Sequence, residues 1–557
     1  MGIQILPLTG EIRERKSIRD LNPEELDKLI KAWRYIQELD PEERNSFFTI
    51  GGLHGEPFRG AGYDNSQWWG GWCHHGNVLF PTWHRAYLLA LENALRSAPG
   101  CENVTLPYWD ESDDQTAGGP RGVADGPTAG GDVSTGIPDI FLQKNYKDGK
   151  PNPLYSYKLK KKVVDRLSDI PDADYSKPKG YETCRYPYSG LLGENDRAAT
   201  QQHNNFLDKN FSRKKINDLL NRNVQIWLKL GAFVNDKGEP INRGSTRQKF
   251  WDCLRVPDYT VFSNTTSAEK FNDEHFSETE PDPKVKTTDG PGFQFTSGPA
   301  VALESPHNDI HLAIGGVEVP GQDMDQYPYA NGDMGENDTA GFDPIFYFHH
   351  CFIDHLFWKW QTEHGKTNPE NISIWSEYPG TNSVDFQGPT PGIQGNTWLT
   401  LDTPLQPYKY ELRDVTSKDM INIEKIGYTY KVPEHGKGSV FKTPIAPLPK
   451  RPTSSPPIVR ISGINRSTIA GSFALAVSHN DNDNSEPQVK AITSVLSRWH
   501  VRGCANCQTH LNTTAFVPLH EIDKKRRHED FALAVHLHTR GNPRGARIHN
   551  VKLGKLA

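Results

Sequence analysis

Two clusters of histidine constrain this chain more than any other feature of its sequence. His307 and His311 stand four residues apart, so a helix through them projects both imidazoles from one face. The pair His349-His350 follows further along. An earlier group comprises His54 in Gly51-Gly52-Leu53-His54-Gly55, His75 in Cys73-His74-His75-Gly76, and His84 in Phe80-Pro81-Thr82-Trp83-His84-Arg85. A lone HxxxH, or a lone His-His pair, is as often a surface feature as a ligand set. Zinc helices with this spacing usually carry Glu after the first histidine, and here that place is Asn308. The two groups together say more than either alone.

Neither group has an evident carboxylate or thiolate ligand. All-imidazole sites suit a borderline metal such as copper, whose two oxidation states neutral nitrogen ligands hold without adding charge. Two such sites facing each other can hold dioxygen between them.

At 557 residues the chain is long enough for more than one folding unit. Hydrophobic residues are 35% and charged residues 24%, as in ordinary globular proteins. Lys and Arg number 63 against 69 Asp and Glu, so no basic stripe favours a nucleic-acid or anionic-membrane partner. No apolar run approaches the ~18 residues of a membrane span. Met1 to Pro7 lacks the basic start and the length of a signal peptide, and the seven cysteines are scattered except for Cys504-x-x-Cys507. The expectation is a cytoplasmic protein, with oligomerisation left open.

Helix signals dominate the first half. Asn22-Pro23-Glu24-Glu25 is a cap with an N1 proline, followed by Leu26, Leu29, Ile30, Trp33 and Ile36 at helical spacing. Asp40-Pro41-Glu42-Glu43 repeats the signal, and a third helix opens at Pro81 with His84, Leu88, Leu91 and Leu95 on one face. Residues 112–300 read as long loops. A proline-rich tether spans 433–457 and exposes Lys450-Arg451. Beyond it, Ile458–Ile464, Gly471–Ser478, Phe531–Thr539 and Arg547–Leu553 are short and β-prone. The expected architecture is a mainly α domain over 1–432, a linker over 433–457, and a smaller β-rich domain over 458–557.

Cys73-x-His75-Gly76 through His84-Arg85, and Phe342-Asp343-Pro344-Ile345-Phe346-Tyr347-Phe348-His349-His350-x3-Asp354, resemble the two copper signatures of the tyrosinase family of type-3 copper proteins, most nearly those of filamentous fungi. The resemblance spans nearly the whole chain. It implies a four-helix bundle around two copper ions, with dioxygen as co-substrate. By the same resemblance His54, His75 and His84 match the ligands of copper A, and His307, His311 and His350 those of copper B. His349 becomes a supporting neighbour, and Cys73 matches a cysteine that forms a thioether to the ring of His75. Two departures stand out: Asp354 is followed by His355 where the family usually has Arg, and Trp109-Asp110-Glu111 replaces Trp-Asp-Trp.

The implied reaction is ortho-hydroxylation of monophenols and oxidation of o-diphenols to o-quinones, leading to melanin-type pigment. A monophenol must first lose a proton whose pKa is near that of tyrosine, ~10, so a base is needed. Glu304 and Asn308, one turn apart, match the pair that holds a water for this purpose. Asn337 resembles a gate on the copper-A side. Catechol or o-aminophenol oxidases share every ligand and remain the alternative, with an oxygen carrier further off. Arg15 and Tyr428-Thr429-Tyr430 match residues that meet and close the domain.

Cys504 and Cys507 have the spacing of a soft Cu(I) site, which predicts a part in copper loading from a copper donor. The β-rich domain is expected to act as a lid that keeps a proenzyme latent, with Trp499 and Phe516 as candidate plugs. Cleavage in the tether, or acid acting on groups such as His536 and His538, is expected to open it.

Overall fold

The computed structural model describes the chain except residues 1, 6, 8–10, 56–71, 114–135, 164–175, 230–244, 278–297, 318–329, 386–387, 390–392, 435–438, 446–457, 470, 481–487, 498–511, 519–531, 540–549 and 557. Helices α1 (Pro23–Glu38), α2 (Phe47–His54), α3 (Phe80–Arg96), α4 (Thr246–Leu254), α5 (Glu304–Gly315) and α6 (Ile345–Glu363) build the frame of the site. Helix α1 starts on a full capping box: the Asn22 side chain accepts from the Glu25 N–H, and Glu25 answers to the Asn22 N–H. It buries Leu29, Ile30, Trp33 and Ile36, the residues its periodicity selects.

The second start signal is displaced. The Glu43 carboxylate accepts from the Asp40 N–H and that of Asp40 from the Glu42 N–H in a turn, and α2 begins only after Ser46, whose hydroxyl accepts from the Thr49 N–H. Residues 112–300 also depart from the loop reading. They hold helices Arg197–Asn210, Arg213–Lys229, α4, Tyr259–Ser263 and Thr265–His275, several opened by short polar caps rather than by a long apolar stripe.

Helices α3, α5 and α6 are buried almost throughout, so their pattern is closer to a continuous apolar run than to a stripe. Strand β1 (Arg13–Arg15) pairs in parallel with β2 (Tyr428–Tyr430), bringing the two ends of the helical domain together. Arg15 is fully buried there. It donates to Glu92 at 2.8 Å and lies 3.7 Å over the ring of Tyr428, while Asp354 collects Arg85, Tyr428 and Tyr430. The expected closure by Arg15 and the tyrosines is present as a charged network rather than as a single cation–π contact.

The C-terminal part is a two-sheet β sandwich. Its strands are β3 (Ile458–Asn465), β4 (Phe473–Asn480), β5 (Gln488–Val495), β6 (Asn512–Pro518), β7 (Ala532–Thr539) and β8 (Asn550–Leu556), in antiparallel orders β5-β4-β7 and β6-β3-β8. Strands β5 and β6 were not anticipated by the sequence reading. Val459, Ile461, Ile464, Phe473, Leu475, Val477 and Val517 form the sandwich's own core. Ala474, Ala476, Ile492 and Leu496 instead join the core of the helical domain. Strand β8 also pairs with Phe276–Ser277 of that domain. Cys73, Cys101, Cys253 and Cys351 are buried and Cys184 is half-buried. Among the described residues no helix is long and apolar enough to cross a membrane.

Candidate metal centre

Each histidine is delivered by a different local device. His54 is the last residue of α2, and its Nδ1 lies 3.1 Å from the carbonyl of Asn337. His75 sits on the loop before α3, beside Gly76, whose φ of +67° lies in the left-handed region that glycine adopts freely. The N–H of Gly76 donates to Glu304 at 2.8 Å, which ties this loop to the start of α5. His84 lies in the first turns of α3, with Nδ1 2.8 Å from the Phe80 carbonyl. On α5, His307 Nδ1 is 2.9 Å from Asn308 Oδ1, and His311 Nδ1 is 2.7 Å from the Met334 carbonyl.

In all four of these hydrogen-bonded rings the Nδ1 is held by an acceptor, which fixes the tautomer and leaves Nε2 with a lone pair. The Nε2 atoms converge. Those of His307 and His311 lie 3.1 and 3.3 Å from Nε2 of His350, too close for lone pairs facing one another unless a cation lies between them. His84 Nε2 is buried and has no hydrogen-bond partner. The rings of His54, His75 and His84 are 5.1 to 5.6 Å apart, and His84 stacks on His350 at 4.6 Å across the gap between the groups. Ring nitrogens of His307, His311, His349 and His350 lie within 4.8 Å of one another, as do those of His54, His84 and His350.

Burial, aided by the neighbouring rings, pushes His84 down to about 3, and burial alone takes His311 down to about 4. His307 and His350 fall well below the ordinary value for the same reasons. Neutral imidazoles are the form a metal requires. Phe346 stacks on His350 at 4.0 Å and closes the floor of the site.

Three residues beyond the converging histidine rings carry support that the sequence did not reveal. Glu111 lies 2.7 Å from Nδ1 of His349 with both side chains fully buried. Burial pushes the Glu111 carboxyl up and the His349 imidazole down, so the pair rests in its uncharged form. Thus the departure from Trp-Asp-Trp supplies the residue that orients His349. Asp309, between His307 and His311, is bound on the far side of the helix. His355 stacks between Tyr430 and Phe441, at centroid distances of 4.2 and 3.4 Å, so an aromatic sandwich stands where the family's arginine was expected.

The remaining sequence candidates are placed as follows. One Glu304 oxygen accepts from Gly76 and the other from the N–H and hydroxyl of Thr265, and burial raises its pKa against those hydrogen bonds. Cys73 Sγ lies within 4.8 Å of ring nitrogens of His54 and His75. Asn337 is buried, with its side chain against Cys73 and its carbonyl on His54. Phe516 packs against Phe276, at 6.0 Å between centroids, on the flank of the helical domain. Cys504, Cys507, Trp499 and Lys450-Arg451 lie outside the described residues, as do the side chains of His536 and His538.

Comparison with known proteins agrees with this geometry. Residues 44–363 match the common central domain of tyrosinase. The chain is 61% identical to a tyrosinase of Aspergillus oryzae, over 98% of this chain and 96% of that protein. It is 42% identical to a tyrosinase of a Hahella species, over 92% of this chain and 89% of its relative. Among solved structures, a tyrosinase from Burkholderia thailandensis at low pH superposes with a TM-score of 0.75 at 39% identity, covering 96% of each chain. Two convergent histidine groups on a helical frame, a matching central domain and full-length relatives together show that this chain belongs to the tyrosinase family.

Proposed function

We propose that the chain binds two copper ions, one among His54, His75 and His84 and one among His307, His311 and His350, and works as a tyrosinase on phenols and catechols. The observation that carries this reading is the convergence of three Nε2 atoms at 3.1 and 3.3 Å in a buried, uncharged site. Copper would supply the redox chemistry there, using dioxygen to place an oxygen ortho to a phenol hydroxyl or to take two electrons from a catechol. The o-quinones that result polymerise toward melanin-type pigment.

The protein's own part is to bind, orient and hold protons. Asn308 commits Oδ1 to His307, which leaves its amide N–H groups to hold a water. Glu304, one turn away with its pKa raised by burial, receives the phenol proton through that water. The same reading assigns monophenolase as well as diphenolase activity. Cys73 and His75 form a thioether that stiffens the loop, and Asn337 borders the copper-A side from behind His54. His349 supports α5 from beside its ligand, held by Glu111.

The C-terminal domain, 458–557, acts as the cover of a latent form, with 433–457 as its tether. Cys504 and Cys507 pass Cu(I) to the histidines. The deciding experiment is oxygen uptake by copper-loaded protein on tyramine, catechol and o-aminophenol side by side, with copper counted per chain. Two coppers and uptake on both tyramine and catechol are expected; no uptake on tyramine, even after a catechol primer, would remove the monophenolase assignment.

A further inference from the structure

The back of helix α5 is held by one carboxylate. Asp309 lies two residues from His307 and two from His311, so it points away from the face that carries both rings. It is only 1% exposed. Its oxygens take two hydrogen bonds from Lys249 Nζ, at 2.7 and 3.0 Å, and one from the Thr246 hydroxyl at 3.0 Å, both donors standing on α4. The remaining donor comes from the C-terminal sandwich: Ser494 Oγ, on β5, donates to Asp309 Oδ1 at 2.6 Å. Charge-assisted hydrogen bonds of this kind are short and directional. Four of them on one side chain fix the rotation of the helix about its axis, and with it the direction in which His307 and His311 point.

The apolar contacts reinforce the same attachment. Ile492, on β5, together with Ala474, Ala476 and Leu496, belongs to the core of the helical domain rather than to that of the sandwich. Nearby, Thr513 Oγ1 and Thr514 N–H on β6 donate to Glu269 at 3.0 and 3.1 Å, and Arg460 pairs with Asp273.

We infer that Asp309 is the positioning residue of the second metal group and that the C-terminal domain completes it through Ser494, so that this domain is a fixed part of the metal-binding frame as well as a cover. The inference rests on the assignment of His307, His311 and His350 as copper ligands. It goes beyond that assignment by making the affinity of one metal group, and not the other, depend on a hydroxyl in a different domain.

The experiment uses the full-length chain, as parent, Ser494→Ala and Ser494→Thr. In the first arm, copper-loaded proteins are dialysed against graded chelator and copper is counted per chain. Loss of an outer hydrogen bond to a ligand-bearing element typically costs 10–100-fold in metal affinity. Ser494→Ala is therefore expected to release one of its two coppers at roughly tenfold lower chelator, while Ser494→Thr, which keeps the hydroxyl, behaves as the parent. In the second arm, amide hydrogen exchange is followed across 304–315 in metal-free protein. Faster exchange in Ser494→Ala, restored in Ser494→Thr, is expected. Unchanged chelator release together with unchanged exchange overturns the inference, and so does simultaneous loss of both coppers. A parent chain that takes up no copper would instead sink the ligand assignment, and the exchange arm would still judge the coupling of Ser494 to α5.

Discussion

Glu111 Oε1 and His349 Nδ1 lie 2.7 Å apart with no solvent access to either side chain. His349 adjoins His350, and its ring stacks on that of His307 at 5.2 Å, so whatever fixes His349 also bears on those two rings. Removing a buried partner leaves a polar atom unsatisfied, at about 1–3 kcal/mol. Glu111→Ala is expected to lose about that much stability and roughly tenfold in copper affinity, whereas Glu111→Gln keeps an acceptor and most of both. Chemical denaturation and chelator competition on the same samples check this; an unaffected Glu111→Ala protein would mean that His349 needs no anchor.

The network at Arg15 is expected to be the most costly surface-remote site to break. Arg15→Ala would leave Glu92 as a buried carboxylate without its cation, while Asp354 keeps Arg85, a change worth about 3–5 kcal/mol. Arg15→Lys should rescue little, because an ammonium cannot reproduce a guanidinium fork that reaches Glu92, Asp354 and Tyr430 together. The unfolding midpoint in denaturant reads both variants.

Glu304→Gln and Asn308→Ala separate the two activities. Glutamine keeps one carbonyl oxygen to accept from Gly76, so the loop carrying His75 should keep its place, although its NH2 can no longer accept from Thr265. What it loses is proton affinity. The monophenol rate is expected to fall about 10²-fold or more against a catechol rate that changes little, in line with the usual worth of a positioned base. Equal losses on tyramine and catechol would assign both residues to support alone.

Glu269 gives the docking of the C-terminal domain a pH dependence. Burial is the dominant cause that pushes its carboxyl up to about 7, with Glu304 adding to it, against the Thr514 N–H, the Thr513 hydroxyl and Arg466, which lower it. Undocked and exposed, the group would titrate near its ordinary 4.5. The docked form therefore binds the proton more tightly, so this contribution is complete below pH ~4.5 and is lost as the pH rises through about 7. Protease accessibility of the domain boundary should increase between pH 5 and pH 8 in the parent and stay flat in Glu269→Gln. The sign is opposite to the acid opening expected from the sequence. Greater accessibility at pH 5 would show that groups outside Glu269 govern the contact.

Cutting the tether is expected to leave the two pieces together. Ile492 and Leu496 sit in the helical domain's core, and Ser494 is tied to Asp309, so a nick between 446 and 457 removes connection without removing contact. Native size-exclusion chromatography after limited proteolysis should show one peak that separates only in denaturant. Two peaks in native buffer would make the domain a detachable cover.

The two histidine groups were legible because metal chemistry demands fixed residue types at fixed spacing: the four-residue separation of His307 and His311 carries weight only beside His54, His75, His84 and His349-His350, and their division between two metals came from the copper signatures. Helix α1 was equally plain, since its cap, proline and apolar stripe all point one way. Glu111 and Asp309 were not legible. Each is an ordinary acid in sequence, and its partner lies 238 positions away for Glu111 and 185 for the Asp309–Ser494 contact. Helices across 197–275 were missed because their starts lack the cap, proline and acids that mark α1: Arg197–Asn210 opens with no side-chain cap, and Thr246–Leu254 and Thr265–His275 open on a lone Ser245 or Asn264. His355 looked like a lost arginine until Tyr430 and Phe441 were seen on its two faces.

An enzyme that manufactures o-quinones works in the presence of its own poison, because quinones add readily to thiolates. Here Cys73, Cys101, Cys253 and Cys351 are buried, and Cys184 is half-buried. Burial also raises the thiol pKa at Cys101, Cys184 and Cys253, and takes Cys351 up to about 12, so these sulfurs stay protonated at neutral pH. A chain folded this way keeps four of its five described cysteines out of reach of departing product, and burial holds Cys101, Cys184, Cys253 and Cys351 in the protonated form that quinones attack slowly, which favours more turnovers before the chain is alkylated.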